Sequence, residues 1–184
     1  MIFRQLINDE AGCLSYLIGC GRAEAAVVVD PGRDRVSDYV ALARRKGLTI
    51  THVVETHVHA DHISGNQALA AQTGATIYIH AAAEAKYRHL PVEHGNELRV
   101  GSVSLRVLHT PGHTPDSISL LVTDLSRGEE PWFVLTGDTL FVGDVGRPDC
   151  GGERAAADLY RSLTGRLLTR ADSLEVYPAH GAGS

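Results

Sequence analysis

Three histidines and an aspartate lie within six residues in the segment THVHADHISG, which spans residues 56–65. Imidazole nitrogens and carboxylate oxygens are common ligands for transition metals such as zinc and iron. Residues two apart on an extended chain point to the same side, so His57 and His59 can converge on one point. Asp61 and His62 follow where the chain must turn into a helix. The HxHxDH pattern therefore predicts a metal site on this loop.

A metal site needs ligands from more than one loop, and three distant segments offer them. LHTPGHTPDS, VLTGDTLF and VYPAHGAGS each follow an apolar run with a turn that contains Gly or Pro. Loops at strand ends are where a rigid scaffold positions binding side chains. Together with the HxHxDH loop, these segments supply the candidate metal ligands, which are His57, His59, Asp61, His62, His113, Asp138 and His180. This set can hold two ions with Asp138 between them, or one ion surrounded by the remaining groups.

The other histidines of the chain are interpreted as structural or surface residues, because a lone buried histidine is more often a hydrogen-bonded core residue than a ligand. They are His52, His80, His89, His94 and His109. Likewise, a single Gly-Asp or Gly-His pair is ordinary turn chemistry. The HxHxDH cluster differs, because neighbouring polar groups would cost several kcal/mol if they were buried without compensation.

Composition narrows the class of protein that can carry this site. The 184 residues suffice for a single domain over 1–184 with its own core, and 43% of them are hydrophobic. A net charge of −5 without basic runs argues against nucleic-acid binding. Cys13, Cys20 and Cys150 form no CxxC pair, which favours a reducing compartment. The sequence shows neither a secretory signal pattern nor an apolar run of about 20 residues, so we expect a cytoplasmic protein without a membrane partner.

Two kinds of periodicity indicate the elements that must position the site. Short apolar runs predict strands at LSYLIGC, EAAVVVD, ITHVVETH, TIYIH, VSLRVLHT, SISLLVT, WFVLTGD and LEVYP. Helical spacing predicts helices over residues 36–47, 66–74, 81–90 and 153–168, the first two ending in Gly. Such a mixture indicates two packed sheets with helices outside, a layered α/β architecture.

The segments THVHADH, PGHT, TGDTLF and YPAH, in this order, resemble the metallo-β-lactamase fold superfamily over essentially the whole chain. The resemblance implies an αββα four-layer sandwich with a metal cleft at one edge of the two sheets. VVVDPG, residues 27–32, resembles the strand and turn before the first helix of that fold, which implies a structural role for Asp30. The superfamily hosts many reactions, so the fold alone does not assign one.

Within the superfamily, THxHADH and GDTLF resemble both the persulfide dioxygenases and glyoxalase II. TLFVGDVGRPD and YPAHGAGS are similar to the dioxygenases of the ethylmalonic-encephalopathy-protein type, including those fused to rhodanese domains. Glyoxalase II carries a helical C-terminal domain that binds glutathione, whereas this sequence ends four residues after His180. Both features favour the dioxygenase.

The dioxygenase resemblance implies one Fe(II) held by His57, His113 and Asp138. This 2-His-1-carboxylate set leaves positions open for substrate sulfur and O₂. The remaining HxHxDH residues and His180 would orient the ligands by hydrogen bonds, and His59 is also a candidate direct ligand. Arg147 in GRPD is implied near the glutathione site, where a guanidinium can clamp a carboxylate; the alternative is a loop-stabilising donor. No catalytic residue beyond the metal ligands is assigned.

The predicted function is thus an iron-dependent dioxygenase that converts glutathione persulfide, or a related low-molecular-weight persulfide, and O₂ to sulfite and thiol. The alternative is a glyoxalase II-type thioesterase with two zinc ions, in which Asp138 bridges and Asp61, His62 and His180 complete the second site. A β-lactam hydrolase and a non-enzymatic metal-dependent scaffold are weaker alternatives.

Four points stay open at the level of the sequence. They are the identity of the thiol, a homodimeric state, a rhodanese domain or protein as partner or as the continuation of a longer fusion, and the role of Cys150. Cys150 is either a small buried residue or a reactive thiol near the persulfide site.

Overall fold

Two β-sheets packed face to face form the centre of the structure, a computed structural model that describes residues 1–8, 12–150 and 152–181. The first sheet has six strands in sequence order: β1 (Ile2–Asn8), β2 (Cys13–Cys20), β3 (Ala25–Val29), β4 (Thr49–Val54), β5 (Thr76–His80) and β6 (Leu90–Val92). The second has five strands, β7 (Glu97–Val100), β8 (Val103–His109), β9 (Ile118–Asp124), β10 (Phe133–Gly137) and β11 (Glu175–Pro178), in the order β11-β10-β9-β8-β7.

The main hydrophobic core lies between the two sheets. Strands bury alternate side chains on opposite faces, so Ile18 and Val27 of the first sheet meet Leu105 and Leu120 of the second in one cluster. Burial is nearly continuous along β2 and complete along β9, since helices cover the outer faces of both sheets.

Three helices complete the outer layers. Helices α1 (Val36–Arg45) and α2 (Asn66–Thr73) cover the first sheet, where Tyr39 and Leu69 join its outward-facing apolar side chains. Helix α3 (Ala155–Ser162), continued by a π-helical turn over Leu163–Leu167, covers the second sheet. The predicted αββα four-layer sandwich is thus confirmed. Among the described residues, no helix is both long enough and apolar enough to cross a bilayer.

The sequence prediction of secondary structure is wrong at one helix and incomplete at three strands. Residues 81–90 form only a 3-10 turn at Ala81–Ala83, because the His80 ring accepts a hydrogen bond from the Ala82 amide and Glu84 then takes a positive φ of 49°. The chain then bends at residues 87–88 and enters β6 at Leu90. Strands β1, β6 and β7 lack a clear apolar run and are absent from the prediction; they lie at or beside sheet edges.

The topology brings the ends of four strands to one edge of the sandwich. Strands β8, β10 and β11 run in the same direction, because β10 is parallel to β11 while β9 is antiparallel to both β8 and β10. Backbone hydrogen bonds then join the sheets at this edge: the Ile118 amide donates to the Thr56 carbonyl at 2.8 Å, and the Leu14 amide to the Ala179 carbonyl at 2.6 Å. The loops that carry the candidate ligands therefore face one another.

Candidate metal centre

Three predicted ligands converge from three separate loops. His57 follows β4, His113 lies between β8 and β9, and Asp138 follows β10. The Nε2 atoms of His57 and His113 lie 3.7 and 3.6 Å from the same oxygen, Oδ2 of Asp138. All three ligand atoms lie within 4.8 Å of one another, so a single ion can contact each of them.

Hydrogen bonds orient both histidine rings of this triad. The Thr56 hydroxyl donates its one proton to Asp30 Oδ2 at 2.8 Å, so it accepts from Nδ1–H of His57 at 3.0 Å. His113 Nδ1–H donates to the Arg147 carbonyl at 3.1 Å. Each ring therefore presents the lone pair of Nε2 toward Asp138, which is how a metal-binding histidine is usually prepared.

The protonation states also suit metal binding. Burial, followed by the charge of His59, lowers the pKa of His57 to about 4, so its ring is neutral at neutral pH. Burial opposes ionisation of Asp138, but the hydrogen bond from His180 and the charge of that ring outweigh it and lower the pKa of the Asp138 carboxyl. The neutral ring of His57 and the carboxylate of Asp138, with His113 beside them, are a donor set that fits a divalent transition metal.

His180 joins the triad to a second group of side chains. Its Nδ1 donates to Asp138 Oδ1 at 2.8 Å, and its Nε2 donates to Asp61 Oδ2, also at 2.8 Å. These two hydrogen bonds raise the pKa of His180 to about 9. Hydrogen bonds from His180 and His62 in turn hold the pKa of Asp61 well below its usual range.

The second group gathers around Asp61. His62 Nδ1 lies 3.2 Å from Asp61 Oδ1, and the Cys13 thiol donates to Asp61 Oδ2 at 3.3 Å. The ligand atoms of these three residues also lie within 4.8 Å of one another. Burial and the hydrogen bond to Asp61 raise the pKa of the Cys13 thiol to about 12. Sequence reasoning missed Cys13, because a single cysteine far from the motif carries no signal.

His59 belongs to a third group and does not face the triad with its Nε2. That nitrogen lies 3.1 Å from Asp30 Oδ1 and 3.1 Å from Glu55 Oε2, with the side chain only 2% exposed. Burial opposes a charge on His59, but the carboxylate of Asp30 outweighs it and raises the pKa of the ring. Burial raises the pKa of Glu55. Sequence reasoning missed Glu55, although it directly precedes the THVH segment.

Asp30 has the structural role that the sequence indicates. Its carboxylate is buried and accepts hydrogen bonds from the Thr56 amide at 2.7 Å and from the Thr56 hydroxyl. It thereby fixes the loop that carries His57. Asp116, within LHTPGHTPDS, is a further residue that sequence reasoning missed: it accepts from the Val58 amide at 2.8 Å and holds the other side of the same loop.

The histidines interpreted as structural or surface residues lie outside these groups, as far as the described residues show. His80 and His109 stack with ring centroids 3.9 Å apart, and His52 stacks on Tyr78. The Arg166 guanidinium donates to His94 Nδ1 at 2.9 Å. None of these rings is a member of the three clusters of candidate ligands.

A cavity of about 340 Å³ opens onto the triad. Besides His113, Asp138 and His180, its lining includes the apolar side chains of Phe141 and Val145. A larger cavity of about 510 Å³ beside α2 is lined by none of the candidate ligands, and one of about 560 Å³ is lined by His62 alone among them. The smaller cavity, lined by four of them, is therefore the one that faces the triad.

Arg147 lines the mouth of this smaller cavity. Its side chain is 76% exposed, and its Nε lies 3.8 Å from Asp149. The backbone carbonyl of Arg147 orients His113, so the residue supports the site whatever its guanidinium binds. Cys150 follows in a 3-10 turn over Pro148–Cys150; its side chain lies outside the described part of the structure, and its role stays a prediction.

Comparison with known proteins identifies the family and two relatives of this chain. The profile of the metallo-beta-lactamase superfamily matches residues 8–180. The chain is 35% identical over 169 residues to a hydroxyacylglutathione hydrolase of Nitrosococcus oceani, covering 90% of this chain and 61% of the relative. It is 28% identical over 180 residues to the human mitochondrial persulfide dioxygenase ETHE1, covering 98% of this chain and 68% of that protein.

This chain is also similar to a solved structure. The crystal structure of ETHE1 from Myxococcus xanthus superposes with a TM-score of 0.91 at 41% sequence identity, over 100% of this chain and 77% of that one. The relatives named here are either dioxygenases or hydrolases, and this chain spans less than two thirds of the length of the Nitrosococcus hydrolase.

Proposed function

The chain belongs to the metallo-beta-lactamase superfamily, and from this premise we propose that it is an iron-dependent dioxygenase acting on a low-molecular-weight persulfide such as glutathione persulfide. Persulfide, O₂ and water would yield thiol, sulfite and two protons. By name, the relatives act on thiol derivatives, one as a hydroxyacylglutathione hydrolase and the other as a persulfide dioxygenase. The choice between them depends on the site itself.

The observation that supports the proposal is that the two carboxylate oxygens of Asp138 have different partners. Oδ2 faces the Nε2 atoms of His57 and His113, while Oδ1 accepts a hydrogen bond from His180. A carboxylate that bridges two ions with one oxygen on each needs both oxygens free. Here one oxygen is already engaged, which favours a single ion in a 2-His-1-carboxylate set.

When bound by His57, His113 and Asp138, Fe(II) would supply adjacent open positions for the persulfide sulfur and O₂. The residues around it prepare this set. Thr56 and the Arg147 carbonyl fix the tautomers of the two histidines, and His180 holds Asp138 in place. Such positioning is the contribution that a protein makes to chemistry carried by a metal.

The cavity accounts for the substrate class in the proposal. Its volume of about 340 Å³ suits a small molecule, and Phe141 and Val145 provide an apolar wall beside the ligands. At its mouth the exposed Arg147 guanidinium can pair with a carboxylate of a peptide-like thiol, as in glutathione. Arg147→Ala should raise KM for glutathione persulfide more than it lowers kcat.

Oxygen uptake coupled to sulfite formation tests the proposal. The chain, loaded anaerobically with Fe(II) and given glutathione persulfide, should consume about one O₂ per sulfite formed once air is admitted. His113→Ala and Asp138→Asn should abolish both signals, whereas His89→Asn, remote from the clusters, should retain them. Absence of O₂ uptake by fully iron-loaded wild-type protein would refute the dioxygenase.

A thioesterase with two zinc ions is the second candidate, favoured by the 35% identity to the hydroxyacylglutathione hydrolase. Asp61, His62 and His180 gather beside Asp138 and can hold a second ion. If the carboxylate bridges with one oxygen on each ion, His180 must release Asp138 Oδ1. Zinc-loaded protein that hydrolyses a glutathione thioester, while the iron-loaded form takes up no O₂, would favour this reaction.

The proposal also includes the partners and the location that the sequence predicts. We propose a cytoplasmic enzyme whose persulfide reaches it from a rhodanese domain or protein, either in a longer chain or as a separate protein. Co-purification of a rhodanese would test the source of the persulfide. The sedimentation mass of the chain would test the homodimeric state, which the sequence leaves open.

A further inference from the structure

We propose that Asp144 determines substrate specificity in the cavity that opens onto the triad, because its carboxylate binds the free α-ammonium group of an amino-acid-derived thiol. Together with Arg147 it would select substrates that carry an ammonium and a carboxylate at the end remote from the reacting sulfur. The inference rests on the proposed function in one respect, that this cavity admits a small thiol derivative. That condition holds for the dioxygenase and for the thioesterase alike.

Asp144 lines the same cavity as two ligands of the triad. Besides His113 and Asp138, the lining includes Asp144 and Arg147 from the loop that follows β10. This loop therefore brings one carboxylate and one guanidinium into a cavity of about 340 Å³ that must also admit the substrate. A substrate whose sulfur reaches the triad has its other end beside these two charges.

Hydrogen bonds within the loop give the Asp144 carboxylate a defined position. The Phe141 amide donates to the Asp144 carbonyl at 2.9 Å, and Leu140 and Val145 form an isolated antiparallel bridge. The Val145 amide donates to Asp144 Oδ1 at 2.8 Å. A group that is already held in place loses little conformational freedom when it binds a ligand, so more of the interaction contributes to affinity.

One carboxylate oxygen of Asp144 is left to bind a ligand. Oδ1 accepts from the Val145 amide, whereas Oδ2 has no hydrogen-bond partner among the residues that the structure describes. The other two carboxylates of the lining differ, since Asp61 and Asp138 both accept hydrogen bonds from His180. Asp144 is also exposed, so an ammonium group that enters the cavity can reach it.

The two charges of the loop are not neutralised by each other. Arg147 Nε lies 3.8 Å from Asp149 Oδ1, and the described side chains of Arg147 and Asp144 form no ion pair with one another. Residues three apart in sequence are separated by at most about 11 Å. An α-amino acid that makes a hydrogen bond at each of its charged groups can bridge such a distance.

The charges and the apolar wall together select the class of thiol. Phe141 and Val145 belong to the same lining and can pack against methylene groups, while the guanidinium of Arg147 pairs with a carboxylate. A thiol with phosphate groups, such as coenzyme A, would bring like charges beside Asp144, and an inorganic polysulfide has no ammonium group. Cysteine and glutathione derivatives carry both an α-ammonium and a carboxylate and are therefore preferred.

An isosteric substitution separates this role of Asp144 from a purely structural one. In Asp144→Asn the side-chain oxygen can still accept from the Val145 amide, so the turn is kept while the negative charge is removed. Asp172→Asn is the matched control, because it removes the same charge from an exposed residue in the turn before β11 that does not line the cavity.

Calorimetric titration of the anaerobic Fe(II)-loaded chain with S-methylglutathione and with its N-acetyl derivative tests the inference. Both ligands are thioethers, which undergo neither candidate reaction, and acetylation removes the ammonium charge. Wild type and Asp172→Asn should bind S-methylglutathione about fivefold more tightly than the acetylated ligand. This preference should decrease as salt is added, because an ion pair at the mouth of a cavity is partly screened. Asp144→Asn should bind both ligands with the affinity that the wild type has for the acetylated one.

Three results would overturn the role of Asp144: no binding of either ligand by the wild type, equal binding of both, or a preference that persists in Asp144→Asn, which would show exclusion of the acetyl group by size. If Asp144→Asn fails to fold, the salt dependence of the wild-type preference decides in its place. The expected preference without O₂ uptake from glutathione persulfide would refute the dioxygenase and leave this role standing. Uptake of O₂ with equal KM for glutathione persulfide and its N-acetyl derivative would refute this role alone.

Discussion

At the scale of single residues, two buried side chains determine how the metal loop is built. Asp30 holds Thr56 through both its amide and its hydroxyl, and Thr56 in turn accepts from His57. Asp30 adopts a positive φ of 50°, a conformation that Asp and Asn tolerate better than most residues. A residue that binds no metal itself thus sets the orientation of a ligand.

Asp30→Asn should destabilise the metal-free protein by about 1–3 kcal/mol. Asparagine keeps the shape and the backbone conformation, but its amide nitrogen cannot accept a hydrogen bond from Thr56 or His59. Urea unfolding measures the change. Asp172→Asn, at an exposed carboxylate in the turn before β11, is the matched control and should leave the unfolding midpoint nearly unchanged. Equal stability of the two variants would contradict the role given to Asp30.

His80, which is not one of the candidate ligands, makes the fold sensitive to acid. Burial, and then the neighbouring His109, lower the pKa of His80 from 6.5 to about 4. The unfolded chain therefore takes up this proton at higher pH than the folded protein does. The stability contributed by neutral His80 is present above pH 6.5 and is lost as the pH falls toward 4.

His80→Asn should reduce the loss of unfolding free energy between about pH 7 and about pH 4. The asparagine oxygen can still accept the hydrogen bond from the Ala82 amide. Denaturant titrations at several pH values measure the slope, with His89→Asn as the histidine-to-asparagine control outside the stack. A slope identical to that of the wild type would show that His80 is not responsible.

At the scale of elements, the loop after β10 folds back tightly onto the site. Gly146 lies so close to the end of β10 that an added Cβ would be 1.8 Å from the Asp138 carbonyl oxygen and 3.3 Å from His113 Cβ. The Phe141 amide donates to the Asp144 carbonyl, and the Gly146 amide to the Thr139 carbonyl, which close the loop. One glycine thus allows two candidate ligands and Arg147 to share a small volume.

Gly146→Ala should weaken iron binding by at least about tenfold, because the loop must move away from Asp138 and disturb a support of the ligands. Overpacking of this kind also costs about 1–3 kcal/mol of stability. Iron content after dialysis against a chelator and thermal unfolding measure both effects. Gly128→Ala is the control, since an added Cβ there meets nothing within 4 Å. Normal iron retention by Gly146→Ala would refute the close approach.

At the scale of the whole molecule, the two sheets are joined by polar contacts as well as by the core. The Tyr16 hydroxyl donates to the Pro178 carbonyl at 2.5 Å and accepts from Gln5 at 3.1 Å. Tyr16 is fully buried against Phe3 and Tyr177. Because Pro178 lies two residues before His180, this contact links the packing of the sheets to the position of His180.

Tyr16→Phe should destabilise the protein by about 1–3 kcal/mol, since the buried Pro178 carbonyl loses its donor while the ring packing is retained. The loss should affect both sheets together. Circular dichroism and Trp132 fluorescence, followed in the same urea titration, should therefore shift by equal amounts. Tyr160→Phe, at a residue that is 68% exposed, should shift neither. Separate transitions in the two signals would show that the sheets unfold independently.

The sequence by itself determined the parts of this protein that depend on short-range pattern. Runs of apolar residues located eight of the eleven strands, and helical spacing located α1, α2 and α3, because burial of one face imposes a period that neighbouring residues must follow. The helix predicted over residues 81–90 is wrong because it rests on the local pattern alone. The alanines of this segment favour a helix, but the contact of the His80 side chain and the pairing of β6 determine its structure. The motif order indicated the superfamily to which the chain belongs.

Only the tertiary structure decided how the candidate ligands divide into groups. The sequence places His57 and His59 two residues apart on one loop, yet their Nε2 atoms face Asp138 and the pair Asp30 and Glu55, respectively. Cys13 reaches Asp61 across 48 residues and His180 across 167. Such distances are fixed by the packing of two sheets and by backbone bonds across their common edge, and no local pattern in the sequence encodes them.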